Sequence, residues 1–359
     1  MSPRAQAPRR PTIRDVAAAA RVSIGTASRA LNRSGRVSAS AIAAVTSAAA
    51  RLGYVPDAIA QSMRGRATGV VGVLVSDIAN PLYAGVVTAA EARLQQAGCA
   101  LLLANTHHDA HRERALIELF RRRRVDGLLL GPCEREDPAL VEHAQRQGFP
   151  VVVLDRDVGP RGTALHVDHF DGATQAARYL LDLGHTRIAL LTPGSHLRPG
   201  RERIDGFRAA FARRGLEPDP RLILGERSSM EFAFSQALGL LSLDRPPSAF
   251  VCLGTRILAG VLQGLRHAGR RVPDDASVVS IGDSDLTRLY APSITSVAWD
   301  LQAVGEALAE LLLERIGAAP APAPRRVAIP TQLLPRESCA PFTARARARP
   351  RKSETGRVQ

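Results

Sequence analysis

TIRDVAAAARVSIGTASRALN, Thr12 to Asn32, is short, rich in alanine and nearly free of acid. Two helical patterns meet in it, broken at ARVS. Thr12 stands three residues before Asp15, a capping arrangement in which Asp15 also suits the positive end of the helix dipole. Ile13, Val16, Ala17 and Ala20 recur at i, i+3, i+4 and i+7 and form one apolar stripe. Ser23 opens a second helix with Ala27, Ala30 and Leu31 on its inner side, and Asn32 and Gly35 close it. Ser38 opens a third, which the spacing predicts to turn Ile42, Val45, Ala49 and Leu52 inward, with Gly53 as its stop. Two short helices on a tight turn, braced by a third, make a helix-turn-helix. The pattern alone also suits a plain three-helix bundle.

Charge separates the two readings. The chain has 359 residues and a formal net charge of +14, unevenly placed. Residues 1–66 hold eleven arginines against Asp15 and Asp57. Residues 67–340 hold 31 bases and 31 acids, and residues 341–359 are again basic. A basic head on a neutral body implies a polyanionic partner for the head. Residues 1–11 read as a disordered basic leader.

The four cysteines, Cys99, Cys133, Cys252 and Cys339, form no CxxC pair and suit core thiols in a reduced compartment rather than a zinc site. The N-terminus lacks the apolar run of an export signal. No stretch of about eighteen apolar residues exists, so the expected location is cytoplasmic, at the nucleoid, with no membrane partner.

TIRDVAAAARVSIGTASRALN, followed by RVSASAIAAVTSAAARLGYVPDAIAQSM, resembles the DNA-binding head of the lactose-repressor (LacI/GalR) family of bacterial transcription regulators. The likeness is ungapped from Thr12 to about Met63. It joins the elements TxxDVA, VSxxTxSRxLN, VS and LGYxP in one order and spacing. The resemblance implies that the second helix enters the major groove, with Ile24 and Gly25 at the main base-reading positions and Arg29 at a third. Arg29 has the fork to grip a guanine; Ile24 offers only apolar contact, and Gly25 none. Thr12, Ser23, Thr26, Ser28 and Asn32 are short polar groups suited to phosphates, and Arg36 takes a further contact position. Tyr54, Ala60 and Met63 complete the expected DNA-facing set. Residues 55–67 would be the family's hinge, in which Met63 stands where an apolar wedge, usually Leu, enters a base step of the minor groove.

From Thr68 onward the chain alternates strand and helix patterns. VVGVLVS (70–76), ALLLANT (100–106), VDGLLLG (125–131), PVVVLD (150–155), RIALLT (187–192), AFVCLG (249–254) and ASVVSIGD (276–283) read as buried parallel strands. Amphipathic stretches at 82–97, 111–122, 172–183 and 202–214 lie between them. This is a doubly wound α/β plan long enough for two lobes.

Phrases such as VLVSDIANPLYAGVV, LGHTRIALLT, RERIDGFRAAF and RRVPDDASVVSIGD extend the family resemblance to about residue 340. The implied fold class is an N-terminal all-α helix-turn-helix head plus an α/β two-lobed periplasmic-binding-protein-like core with doubly wound parallel sheets. The implied divisions are the head at 12–54, the core at 68–340 and a disordered tail at 341–359. Lobe one is expected at 69–164 with 293–324, and lobe two at 165–292 with 325–340.

The resemblance also implies an effector cleft formed by Asp77, Asn80, Leu82, Tyr83, Asp155, Arg156, Arg201, Arg203, Arg227, Thr255, Arg256, Asp283 and Trp299, with Asp168 and His169 beside them. Thr255 replaces an Asp that usually grips sugar hydroxyls, and His169 a common Asn. The extra arginines suggest a sugar acid or phosphosugar in place of a neutral sugar. No cofactor is implied.

The expected function is a transcriptional regulator, most simply a repressor, that binds palindromic operator DNA as a homodimer under control of a small-molecule effector. The alternative is an α/β small-molecule-processing enzyme, or a sugar-binding protein, with an appended helical domain. Against an enzyme, the one lysine, Lys352, lies in the tail, and no GxGxxG, GxSxG or HExxH is present. THHDAH (106–111) reads as a loop after a strand rather than a metal site.

Overall fold

The computed structural model describes residues 11–32, 35–54, 67–132, 138–146, 149–226, 228–318, 320 and 322–343, without the side chains of Pro138 and His143. The chain divides at Thr68 into two compact units.

The first unit is three helices, α1 (Ile13–Ala19), α2 (Ile24–Leu31) and α3 (Ala39–Leu52). Asp15 accepts from the Thr12 amide at 2.7 Å and from its hydroxyl at 2.8 Å, which anchors the first turn. Ser23 Oγ accepts from the Thr26 amide at 3.1 Å and Ser38 Oγ from the Ala41 amide at 3.3 Å. Arg21, left-handed at φ 53°, makes the tight turn, and Gly53 at φ 61° ends α3. Val16, Ala17, Ala27, Ala30, Val45, Ala48 and Ala49 form the core. The expected stripe on α3 is corrected: Ile42 and Leu52 are each 37% exposed, and Ala48 is buried instead. The helices are short enough that the 45–48–49 face alone covers α1 and α2.

The second unit holds two six-stranded sheets. Sheet one is built from β1 (Val70–Val75), β2 (Ala100–Asn105), β3 (Gly127–Leu130), β4 (Val151–Leu154), β5 (Thr163–Val167) and β11 (Arg326–Ile329), in the order β11-β5-β4-β3-β1-β2. Every neighbouring pair in it is parallel. Sheet two is built from β6 (Ile188–Pro193), β7 (Ile223–Glu226), β8 (Ala249–Leu253), β9 (Ser277–Ile281), β10 (Thr295–Ala298) and β12 (Gln332–Leu334), in the order β12-β10-β9-β8-β6-β7, with only β12 antiparallel. Sheet one packs α4 (Pro81–Gln96) and α12 (Leu301–Leu313) on one face, and α5 (Ala110–Arg122) and α6 (Pro138–Arg146) on the other. Sheet two packs α7 (His169–Asp182) and α8 (Arg198–Ala212) opposite α9 (Met230–Leu241) and α10 (Gly254–His267), and a short α11 (Asp285–Leu289) follows β9.

The lobe boundaries expected from the sequence need correcting. β5 extends lobe one to Val167. β10 belongs to sheet two, because it pairs with β9, and β11 belongs to sheet one, because it pairs with β5. The three crossings therefore fall after Val167, after Ala298 and between Ile329 and Gln332. Five strands escaped the sequence reading (β5, β7, β10, β11 and β12); each has five residues or fewer and owes its strand state to its neighbour.

Helices α7 and α8 meet at Gly206, where an added Cβ would lie 2.1 Å from the Phe170 carbonyl oxygen. Backbone cannot swing aside as a side chain does. Gly206→Ala is expected to cost about 1–3 kcal/mol, read as a lowered urea midpoint with an unchanged slope.

Candidate functional site

The first candidate is the outer face of the head. Ser23, Ile24, Gly25 and Arg29 are exposed together on α2, and Ile24 presents 45% of its surface. A Cβ on Gly25 would sit 3.7 Å from Ser23 Oγ and 4.0 Å from Arg29 Nη2, so the guanidinium lies beside the bare backbone at Gly25. Arg29 Cδ comes within 3.3 Å of the Cβ position of Gly35, which rests the aliphatic stem on that turn. Arg36 is exposed as well.

Three of the expected DNA-facing residues sit differently. Ser28 is buried at 5% exposure and accepts from Asn32 Nδ2 at 3.4 Å, because the 27–28–30 side of α2 faces the core. The Thr12 hydroxyl donates to Asp15. Tyr54 packs against the head core, half-buried. Ala60 and Met63 lie outside the described residues.

The second candidate is a cavity of about 400 Å³ between the two lobes, within the range of about 300–1,000 Å³ that buries a small ligand. Its walls are the segments that follow the C-terminal ends of parallel strands, where open α/β sheets place their ligands. Asp77, Asn80, Leu82 and Tyr83 follow β1, His107 and His108 follow β2, and Asp155 follows β4. From lobe two come His196 after β6, Glu226, Ser228 and Ser229 at and after β7, and Thr255 and Arg256 after β8. Trp299, at the second crossing, completes the wall.

The lobes are held closed across this space. Arg256 of lobe two pairs with Asp77 of lobe one, and Arg198 and Arg201 both pair with Asp157. A Cβ on Gly282 would meet Leu82 Cδ1 at 2.8 Å, so that glycine admits the leucine from the facing lobe.

At the floor lies a buried relay. Asp155, left-handed at φ 53°, accepts from the Val167 amide at 2.9 Å through Oδ1. Its Oδ2 is 2.9 Å from His169 Nε2, and His169 Nδ1 is 2.9 Å from Arg203 Nη2. Arginine only donates, so Nδ1 accepts and Nε2 carries the proton given to Asp155. His169 is therefore a neutral imidazole. Burial, and then the Arg203 charge, hold its pKa below the ordinary value. Burial pushes Asp155 up, but its hydrogen bonds and the nearby positive charge leave it below the usual carboxylate range. Burial lowers Arg203 to about 10, still fully charged near neutrality. Its Nε is buried without a partner among the described residues, a donor available to a ligand. The Trp299 ring stands edge-on to His169 at 5.9 Å.

Of the expected cleft residues, Asp77, Asn80, Leu82, Tyr83, Asp155, His169, Arg203, Thr255, Arg256 and Trp299 line the cavity. Arg156 does not: it is 2% exposed and gives its guanidinium to Glu113 and the Gly131 carbonyl below the sheet end. Arg201 is drawn away by Asp157. Asp283 accepts from Arg336, Ser296, Thr287 and Arg288, and so ties β12 to α11 rather than facing the cavity. Asp168 caps α7 through the Asp171 amide at 2.9 Å. Arg227 lies outside the described residues.

Among the described residues, these placements leave fewer arginines at the cavity than the sequence reading assigned to it. Two of the extra arginines are spent elsewhere and Arg256 is already paired. The cavity offers Asp77, Asp155 and Glu226 against Arg203 and Arg256. The sequence reading missed His107, His108, His196, Glu226, Ser228 and Ser229. The histidines of THHDAH follow β2 as Asp77 follows β1, and the strand-end rule applied there would have found them. Both are left-handed, at φ 53° and 61°. No group of three metal-ligating side chains occurs among the described residues.

Residues 12–57 match the profile described as bacterial regulatory proteins, lacI family, and residues 177–339 that of a periplasmic binding protein-like domain. The chain is 34% identical over 342 residues to the HTH-type transcriptional regulator CelR of Thermobifida fusca, covering 92% of this chain and 98% of that protein. It is 33% identical over 309 residues to the ribose operon repressor of Escherichia coli K12, covering 85% and 93%. Among solved structures, a CelR–cellobiose complex superposes with a TM-score of 0.70 at 32% identity, over 92% of this chain and 100% of that one. The lac repressor dimer bound to operator and the anti-inducer ONPF shares the fold, with a TM-score of 0.80 at 24% identity over 92% and 100%.

Proposed function

The chain belongs to the LacI family of transcriptional regulators, and on that premise we propose that it is a cytoplasmic repressor that reads an inverted-repeat operator as a homodimer and senses a neutral sugar between its lobes. No helix among the described residues is long and apolar enough to cross a membrane. The observation that carries the reading is one chain that has both an exposed α2 face bearing Arg29 and a cavity between two lobes lined by polar and aromatic side chains. Ser23, Ile24, Gly25, Arg29 and Arg36 are the residues for the duplex, with Arg29 the specific donor.

In the cavity, Asp155 and Glu226 accept from hydroxyls, Arg203 and Asn80 donate to them, and the Trp299 and Tyr83 rings cover the apolar side of the sugar. The cellobiose bound by the relative CelR supports a saccharide of this kind. The ligand acts by favouring one lobe arrangement over the other, since only differential affinity shifts such an equilibrium.

Anisotropy of a labelled duplex tests this. The protein is expected to prefer an inverted repeat over random duplex, and neutral sugars, not sugar acids, are expected to change that affinity. Equal affinity for all duplexes refutes the regulator reading; a response to sugar acids alone refutes the neutral effector.

A further inference from the structure

All neighbouring strands of sheet one are parallel, so their N-terminal ends share one edge of lobe one. That edge collects Arg121, Arg122, Arg123 and Arg124 before β3, Arg146 before β4, Arg161 before β5, and Arg315 and Arg325 before β11. Eight arginines meet four carboxylates there, in a body whose bases and acids balance as a whole.

The carboxylates are already engaged. Glu118 pairs with Arg121 at 3.1 Å, Glu142 with Arg146 at 3.4 Å and Glu314 with Arg325 at 2.9 Å, while Asp126 accepts from the Gly69 amide at 2.6 Å. Arg122, Arg123 and Arg161 remain exposed, with no ion pair among the described residues. The starts of β3 and β5 are two strand spacings apart, about 10 Å.

At the starts of β4 and β5, beside the segment that leads into β11, opens a groove of about 500 Å³ lined by Arg146, Arg161, Arg315, Glu142 and Phe149. Arg315 is only 9% exposed, with its guanidinium fixed by the Leu311 and Ala323 carbonyls at 2.9 and 2.8 Å. Helix C-termini favour arginine through the helix dipole. That accounts for Arg121 and Arg122, but Arg161 ends no helix.

We propose that this arginine edge is a second, sequence-independent contact surface for the phosphates of duplex DNA. The inference rests on the DNA-binding reading above and adds a role for the body. β1, the first strand of the body, also begins at this edge, where the Gly69 amide donates to Asp126. The head is itself strongly basic, so a polyanion held by the head also attracts the edge. Every base here is arginine, whose planar fork matches phosphate oxygens two at a time.

The test uses the full-length protein and the triple variant Arg122→Gln/Arg123→Gln/Arg161→Gln. Affinity for an inverted-repeat and a random duplex of equal length is measured from low to moderate salt. The variant is expected to bind both more weakly by the same factor. Its log-affinity against log-salt slope becomes shallower by about one for each phosphate that is no longer neutralised. Base preference and sugar binding stay unchanged, and the corresponding triple lysine variant keeps most of the slope. A glutamine variant with the wild-type slope on both duplexes overturns the inference while leaving the regulator reading intact. Wild-type protein that shows no inverted-repeat preference overturns that reading, and a shallower variant slope on random duplex then still upholds the edge.

Discussion

Arg203→Ala is expected to abolish the effector response while leaving operator affinity in the absence of sugar unchanged. Arg203 is buried, charged and bonded to His169, and its Nε points to no other partner in the described chain. Truncation removes the cavity's buried cation and leaves His169 Nδ1 and the Asp155 carboxylate without their counterweight. A charge-assisted hydrogen bond is worth about 1.5–3 kcal/mol, so sugar affinity should fall roughly 10- to 150-fold by calorimetry. Arg203→Lys should not restore it, because one ammonium cannot span the imidazole and a ligand hydroxyl as a planar fork does. Affinity within twofold of wild type in Arg203→Ala would remove the relay from the ligand site.

The largest loss of stability is expected from Arg156→Met. Glu113 is fully buried and depends on Arg156, which also donates to the Gly131 carbonyl. Removing one partner of such a pair leaves an uncompensated charge, at a cost of about 3–5 kcal/mol. The double variant Arg156→Met/Glu113→Leu should recover most of it, since an apolar pair of similar volume carries no desolvation penalty. Urea unfolding of the three proteins decides the matter: a single variant that loses under about 1 kcal/mol, or a double variant as weak as the single, contradicts a dependent buried pair.

The head was legible because its information is local. Caps at Thr12, Ser23 and Ser38 and the spacing of Val16, Ala27 and Val45 act within a few residues, and the structure uses them as the spacing predicts. The long apolar strands were legible for a similar reason: burial on both faces demands unbroken aliphatic runs. Short strands such as Thr163–Val167 and Arg326–Ile329 carry no such run. They pair with each other across more than 150 residues, and no local pattern reports that.

The cleft divided along the same line. Residues that the family resemblance put next to a strand end, such as Asp77, Asp155 and Thr255, line the cavity. Arg156, Arg201 and Asp283 sit at strand ends or helix starts too, yet Glu113, Asp157 and Arg336, distant in sequence, claim them. By itself, then, the order of residues determined the family, the head's helices, the alternating body and the basic character of the DNA-facing unit, since periodicity, capping and charge are properties of short stretches. Only the tertiary structure decided which charged groups remain open to a ligand and which neutralise one another, because an ion pair depends on a separation of a few ångströms that chain distance does not encode.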